Sequence, residues 1–295
     1  PATRLLSENV TISNNSDFFY NFTATLLDAD VNYLLLVHLD NNSDFGENGS
    51  IVFDFADNDG QQNGTPTGIY LFNKSTGIIA GAYIIGRDGD NKNYIDFGDQ
   101  DTFISKRNVS YVGWVRPNVA GTVIDGIFGK YNTGTSTGLR IFKDGTKLKI
   151  AADSTIVSTN DNFFAAGTWT HFAVTIVENG SMYIYRNGLF NISGTYTDIG
   201  SNAIVAKLGA YEPDIADWRP WRGRIDEFAI INKTLNAIEV NDTYRPKSGV
   251  YNWYVNATDN TNKTNLSVTR SFRIDRPAEV VNVSISPDDV ANITN

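Results

Sequence analysis

A chain of 295 residues has room for one large β domain and a smaller companion, and its 41% hydrophobic and 12% aromatic content can fill real cores. The net charge is -9 with no Lys/Arg cluster, which excludes a nucleic-acid or anionic-lipid surface, because phosphate binding needs concentrated positive charge. Cysteine is absent, so disulfides and thiolate chemistry are excluded too.

The chain opens at Pro1 without a charged and apolar leader, which reads as a processed form or a piece of a longer protein. Residues 1–32 are strand-like and rich in asparagine. The longest aliphatic run, YLLLV at 33–37, falls far short of the roughly 20 residues of a membrane span, so no membrane span is expected. From there to residue 245, turn signals recur about every ten residues, which predicts an all-β, antiparallel two-sheet sandwich. LRIFKDGTKLKIAA alternates apolar and polar residues on both sides of Asp144-Gly145, and HFAVTIVENGSMYIYRNGLF does so around Asn179-Gly180 and Asn187-Gly188. Asx-Gly accepts the positive φ of two-residue hairpin turns, so neighbouring strands should run antiparallel. Helical periodicity is confined to NKTLNAIEVNDTY, with Leu235, Ile238 and Val240 on one side. Residues 246–276 return to strand character, with Tyr251, Trp253 and Val255 alternating with polar neighbours. Together with 1–32 they read as two parts of one small immunoglobulin-like sandwich interrupted by a large domain at 33–245. That pair supplies only about sixty residues where a full immunoglobulin sandwich has about 100. Residues 277–295 read as a Pro-marked linker and the first strand of a further module.

Seventeen Asn-x-Ser/Thr triplets are present where chance spacing would give about five. Asn9, Asn21, Asn48, Asn63, Asn73, Asn108, Asn179, Asn191, Asn232, Asn256, Asn265 and Asn282 are among these candidate glycosylation acceptors. The excess points to an extracellular, glycosylated cell-surface protein.

Catalytic patterns are missing. DGDNK from Asp88 has Lys92 at a ligand position of a calcium loop and no closing Glu. GTVIDGIFGK lacks the spacing of a phosphate loop. His38 and His171, the two histidines, lie inside strand segments and read as structural. Retaining glycosidases need two carboxylates about 5 to 5.5 Å apart on one strand face, and no strand here carries such a pair. In GRIDEFAIINKTL, alternation puts Asp226 and Glu227 on opposite faces, with Arg222 or Arg224 as the expected partner of Glu227. For sugar binding the informative loop is YEPDIADWRPWRG. Tyr211 and Trp218 offer ring faces to sugar C–H groups, while Asp214 and Arg219 can meet hydroxyls.

LLLVHLDNNSDFGENGSIVFDFADNDGQQNGT, GAYIIGRDGDNKNYIDFGD, YVGWVRPN, GTWTHFAVTIVENGSMYIYRNG and WRGRIDEFAIINKTLNAIEV occur in the order of the landmarks of the laminin-G-like, concanavalin-A-like jelly-roll family. The resemblance spans roughly 33–245. Insertion of such a domain between immunoglobulin-like strands also resembles large archaeal surface proteins. The resemblance implies a jelly roll that binds carbohydrate or serves as an adhesive module, often with a structural Ca²⁺. It places the metal ligands at Asp54 and Asp226, with Asn58 as a further oxygen donor, and Trp221 in the core. Ala56 and Asp57 stand where the family has Ser-Gly, so the ligand turn departs from the pattern. The leading expectation is a non-catalytic extracellular module for adhesion or carbohydrate binding, its partners being glycans or neighbouring cell-surface proteins. The alternative is a structural subunit of a surface layer or filament, a homo-oligomer assembled through terminal strands such as Val280–Ile285. A third is the binding appendage of an enzyme whose catalytic domain lies elsewhere.

Overall fold

Alternating apolar residues on short strands demand a partner sheet, and the chain provides two. The computed structural model describes residues 33–41, 47–56, 62–68, 71–72, 77–78, 81–85, 93–104, 108–119, 121, 123–178, 180–211, 219–244, 249–253, 256–258, 264–266 and 270–274. The strands in chain order are β1 Tyr33–Val37, β2 Thr65–Thr67, β3 Leu71–Phe72, β4 Tyr83–Ile85, β5 Tyr94–Asp96, β6 Val109–Pro117, β7 Ile124–Asn132 and β8 Thr137–Asp144. They continue with β9 Lys147–Ala152, β10 Thr155–Ser158, β11 Thr170–Val177, β12 Ser181–Arg186, β13 Leu189–Thr195, β14 Lys207–Leu208 and β15 Gly223–Ile231, and α1 follows at Ala237–Tyr244. The first sheet runs β13-β12-β11-β6-β15-β4-β3, with β1 also paired to β15, and the second runs β10-β9-β8-β7-β14-β5-β2. All pairings are antiparallel, and the two sheets form a jelly-roll sandwich.

The hairpin turns sit where Asx-Gly stands. Gly145 (φ 64°) links β8 to β9, and Asn187 (φ 49°) with Gly188 (φ 76°) links β12 to β13. Asn179 lies outside the described residues. The inward positions of both sheets make one core, in which Phe128 of the second sheet stacks on Phe228 of the first at 5.7 Å and Trp221 is fully buried. Burying large aromatics at this depth is the main stabilising term, at about 1.5–3 kcal/mol each. Lys130 is buried on β7, its ammonium donating to the carbonyls of Asn202 and Ile204 and to Asp99, so it rivets the second sheet to two loops.

The helix forms where periodicity predicts it, with Asn236 Oδ1 accepting from Ile238 N–H and Glu239 N–H as an N-cap. Val240 and Leu235 are buried against the first sheet. Ile238 is not: it is 75% exposed. The helix begins at Ala237, so Ile238 falls on its outward side while Val240 and Thr243 turn inward.

By compactness the chain divides into two units, Phe22–Arg245 and a second made of Pro1–Asn21 with Pro246–Asn295. In the second, β16 Gly249–Trp253 pairs with β19 Arg270–Ile274, and β17 Asn256–Thr258 pairs with β18 Thr264–Leu266, both antiparallel. The tail at 280–285, expected to add to a neighbour's sheet edge in the filament reading, lies outside the described residues. Among the described residues, no helix is long and apolar enough to cross a membrane.

Candidate functional site

The adjacent carboxylates of β15 mark a change of partner. Gly223–Ile225 pair with β4, whereas Phe228–Ile231 pair with β1, and the register against β6 shifts between Asp226 and Ala229. Asp226 and Glu227 occupy this gap, with Glu227 at φ 47°, a left-handed conformation that costs a non-glycine residue about 1–2 kcal/mol. Asp226 stays opposite Trp114 of β6 and accepts a hydrogen bond from Ile78 N–H. Glu227 accepts from His38 Nδ1 at 2.9 Å. The expected partnership with Arg222 or Arg224 is thus corrected: the bulge turns Glu227 toward the end of β1, Arg222 Nε binds Asp125 at 2.7 Å, and Arg224 faces Arg116.

Around His38 lies a buried polar cluster that sequence reading missed, since its members are scattered over 190 positions. Asp40, Glu47 and Glu227 act on His38, Glu47 and Asp40 act on the Tyr83 hydroxyl, and all five are buried. Burial lowers the His38 pKa, but the charge and hydrogen bond of Glu227 outweigh it and leave the imidazole raised. Burial, reinforced by Glu227 and Glu47, lifts the Asp40 carboxyl to about 7 despite a hydrogen bond from Gly81 N–H and the His38 charge. His171, on the far side of β6, is pushed down to about 3 by burial alone.

The implied calcium ligands can be tested against their donors. Asp54 is fully buried; its Oδ1 accepts from Leu36 N–H and Ala56 N–H, and its Oδ2 from Gln62 N–H. Three N–H dipoles converging on one carboxylate supply the positive field that a cation would, and they would repel one. Asp226 serves a different backbone segment, and among the described residues no group of three or more His, Asp and Glu side chains is placed to hold a metal. Asn58 lies outside the described residues. The pair Asp54 and Asp226 does not fit calcium. We therefore expect the melting midpoint to be the same in EDTA and in millimolar Ca²⁺. A Ca²⁺-dependent rise of several degrees, such as about 100-fold excess over Kd gives, would refute this.

The outer face of the second sheet holds a different constellation. Tyr131, Arg140 and Phe142 point outward from β7 and β8, and the segment after β14 lays Tyr211 over them. The Arg140 guanidinium lies 4.1 Å from the Tyr131 ring centroid, 4.3 Å from Tyr211 and 5.7 Å from Phe142. Tyr211 meets Phe142 edge-on at 4.6 Å, and Arg219 lies 5.4 Å from the Tyr211 ring. Tyr211 and Arg219, both expected from the loop, are thus brought together, while Asp214 and Trp218 lie outside the described residues. Arg140, Tyr131 and Phe142 were missed because alternation marks them only as outward-facing. Lys207, Gly129 and Arg140 stand abreast across β14, β7 and β8, and Gly129 contributes no side chain between the two cations. Lys207 Nζ rests 4.4 Å from the Tyr94 ring. The rings are buried and Arg140 and Arg219 are half-buried, so a ligand would meet guanidinium donors held rigid by aromatic stacking.

Among the glycosylation candidates, Asn191 is exposed on the edge strand β13, and Asn48 is exposed with its side chain accepting from Ser50 N–H. Asn63 Oδ1 accepts from Asp54 N–H and Asn108 Oδ1 from Glu178 N–H, while Asn232 is half-buried. Asn256 and Asn265 lie in β17 and β18. Asn9, Asn21, Asn73 and Asn282 lie outside the described residues.

Comparison with solved structures gives domain 4 of AbnA, a GH43 extracellular arabinanase from Geobacillus stearothermophilus, solved with arabinotriose, at 24% identity and TM-score 0.54, covering 73% of this chain and 99% of that one. The binding domain of botulinum neurotoxin serotype D matches at 13% identity and TM-score 0.53, covering 78% of this chain and 62% of that one. A botulinum neurotoxin type C structure, described as dependent on two ganglioside molecules for cell entry, matches at 16% identity and TM-score 0.54, covering 72% and 51%. At these identities the likeness is one of fold. No curated protein sequence matches. The family profile of the concanavalin A-like lectin/glucanases superfamily, in its laminin-G form, matches residues 88–241, more than half of the chain. The chain belongs to the laminin-G-like branch of the concanavalin A-like lectin/glucanase superfamily.

Proposed function

We propose that this chain is a non-catalytic, extracellular carbohydrate-binding module whose ligand face is the outer side of the second sheet. The observation that carries the reading is Arg140 clamped between Tyr131 and Tyr211, with Arg219 on the same ring. Stacked guanidinium groups present fixed donors to vicinal hydroxyls, and the fixed geometry reduces the side-chain entropy lost on binding. The arabinotriose bound to the arabinanase domain and the gangliosides of the type C neurotoxin make saccharides the ligand class to try first. The excess of Asn-x-Ser/Thr triplets supports the extracellular setting. As for catalysis, Asp144, the acid closing β8, is paired with Lys149, and Asp96, level with Lys207 in the register, accepts from Gly98 N–H, so both carboxylates are already engaged.

The test is isothermal titration of the full chain with arabinotriose and with the soluble oligosaccharide of a ganglioside, following an array screen for other glycans. Arg140→Gln should weaken whichever saccharide binds by about tenfold or more, since a charged donor contributes about 1.5–3 kcal/mol. Equal affinity in wild type and variant would remove this face as the site.

A further inference from the structure

A second cationic feature lies on the opposite sheet and has no ion-pair partner among the described residues. Arg224 of β15 stands directly across from Arg116 of β6. Their sequence neighbours Ile225 and Val115 face the core, so both arginines face outward. Like charges directly opposite on antiparallel strands repel each other, and burial together with Arg116 lowers the Arg224 pKa. The chain has 33 acidic against 24 basic residues, yet neither arginine is ion-paired among the described residues. Arg116 Nε is spent on the Gly167 carbonyl at 2.6 Å, and Arg224 Nε is buried without a hydrogen-bond partner among the described residues. Asp226, two residues on from Arg224 along β15, is fully buried and engaged with Ile78 N–H.

Aromatic surface flanks the pair. Trp114, two residues before Arg116 on the same face, is half-buried and stacked on Tyr244 at 5.3 Å. Its indole Nε1 is buried with no hydrogen-bond partner among the described residues, and His171 meets the ring edge-on at 5.3 Å. Trp169, also half-buried, precedes Thr170, which pairs with Val115, so the register carries it to the level of Arg116. Two guanidinium groups side by side match the two oxygens of a carboxylate, and indole faces match the C–H face of a pyranose. We propose that Arg116 and Arg224, with Trp114 and Trp169 beside them, form a second saccharide subsite that takes the carboxylate of an acidic sugar of the uronate class. It shares no residue with the Arg140 face and stands or falls separately from it.

The probe is tri-galacturonate, titrated into the full chain and followed by calorimetry and tryptophan fluorescence, beside its fully methyl-esterified form and a sulfated trisaccharide. Wild type should bind tri-galacturonate saturably, bind the ester at least about tenfold more weakly, and lose affinity as salt rises. Arg224→Gln should cost about tenfold or more while leaving the melting midpoint no lower than wild type, because it removes the repulsion. Arg224→Lys, which keeps the charge but not the planar fork, should fall between them. Arg140→Gln should leave tri-galacturonate binding unchanged, so failure of one site is separable from failure of the other. The proposal is overturned if tri-galacturonate shows no saturable binding, if the ester binds equally, or if Arg224→Gln has no effect. Binding of the sulfated trisaccharide alone would overturn the carboxylate assignment.

Discussion

Gly126→Ala will dismantle the candidate ligand face, weakening saccharide binding by at least about tenfold and destabilising the fold by about 2–3 kcal/mol. A Cβ at this position would sit 1.9 Å from Tyr211 N and 2.0 Å from the Ala210 carbonyl carbon, both backbone atoms that cannot rotate aside. Gly126 N–H also donates to the Arg219 carbonyl at 2.9 Å, so one glycine supports both described ends of the loop carrying Tyr211 and Arg219. Pushing that loop outward lifts Tyr211 off Arg140 and Phe142, and the guanidinium loses the ring that fixes it. Much of β7 should stay paired, because Gly129–Asn132 keep their register with β8. Gly49→Ala is the control: nothing lies within 4 Å of its Cβ, and both binding and stability should be unchanged. Denaturant midpoints and saccharide titration of the two variants decide the matter. Wild-type affinity in Gly126→Ala would mean that Tyr211 is not part of the site.

Gly126 also illustrates why the fold was more legible than the site. Hairpins at Asp144-Gly145 and Asn187-Gly188 follow from local chemistry, since Gly145 in the first turn and both Asn187 and Gly188 in the second take the positive φ that few other residues accept. Alternation then sorts each strand into inward and outward residues, which suffices for a two-sheet sandwich, whereas the buried Trp221 followed from the family resemblance. A site depends on which outward residues become neighbours, and that is set by register between strands far apart in sequence. Tyr211 and Arg219 share a loop and could be named together, but Arg140 reaches Tyr211 only because β8, β7 and β14 lie side by side. The carboxylates of β15 were misread for the same reason. Strict alternation holds for a continuous ladder, and the exchange of β4 for β1 beside Asp226 and Glu227 breaks it. That break is what brings Glu227 to His38, 189 positions earlier.

The second large effect is on pH dependence, and it comes from this cluster. Asp40 titrates near 3.8 in the unfolded chain and at about 7 in the folded one, so the native state holds the extra proton and stability falls as pH rises between these values. Three units at about 1.4 kcal/mol each set an upper limit of about 4 kcal/mol. His38, raised in the folded state, works in the same direction: its contribution is complete below 6.5 and is lost as pH climbs through its higher folded value. His171 opposes them, since a folded value of about 3 makes stability fall as pH drops from 6.5. From about pH 4 to 6.5 the Asp40 and His171 slopes have opposite sign and offset each other; above 6.5 only losses remain. Wild type should therefore show a plateau at mildly acidic pH and a decline toward pH 8. Asp40→Asn keeps an oxygen for Gly81 N–H but removes the charge facing Glu47, Glu227 and the Tyr83 hydroxyl. It should raise stability by about 2–3 kcal/mol at pH 8 and by much less at pH 4, so that its profile climbs from pH 4 to 6.5 where wild type is flat. Guanidinium unfolding of both proteins from pH 4 to 8.5 gives the difference directly. A difference that does not change with pH would show that Asp40 is already ionised in the folded protein and that His38 neutralises it.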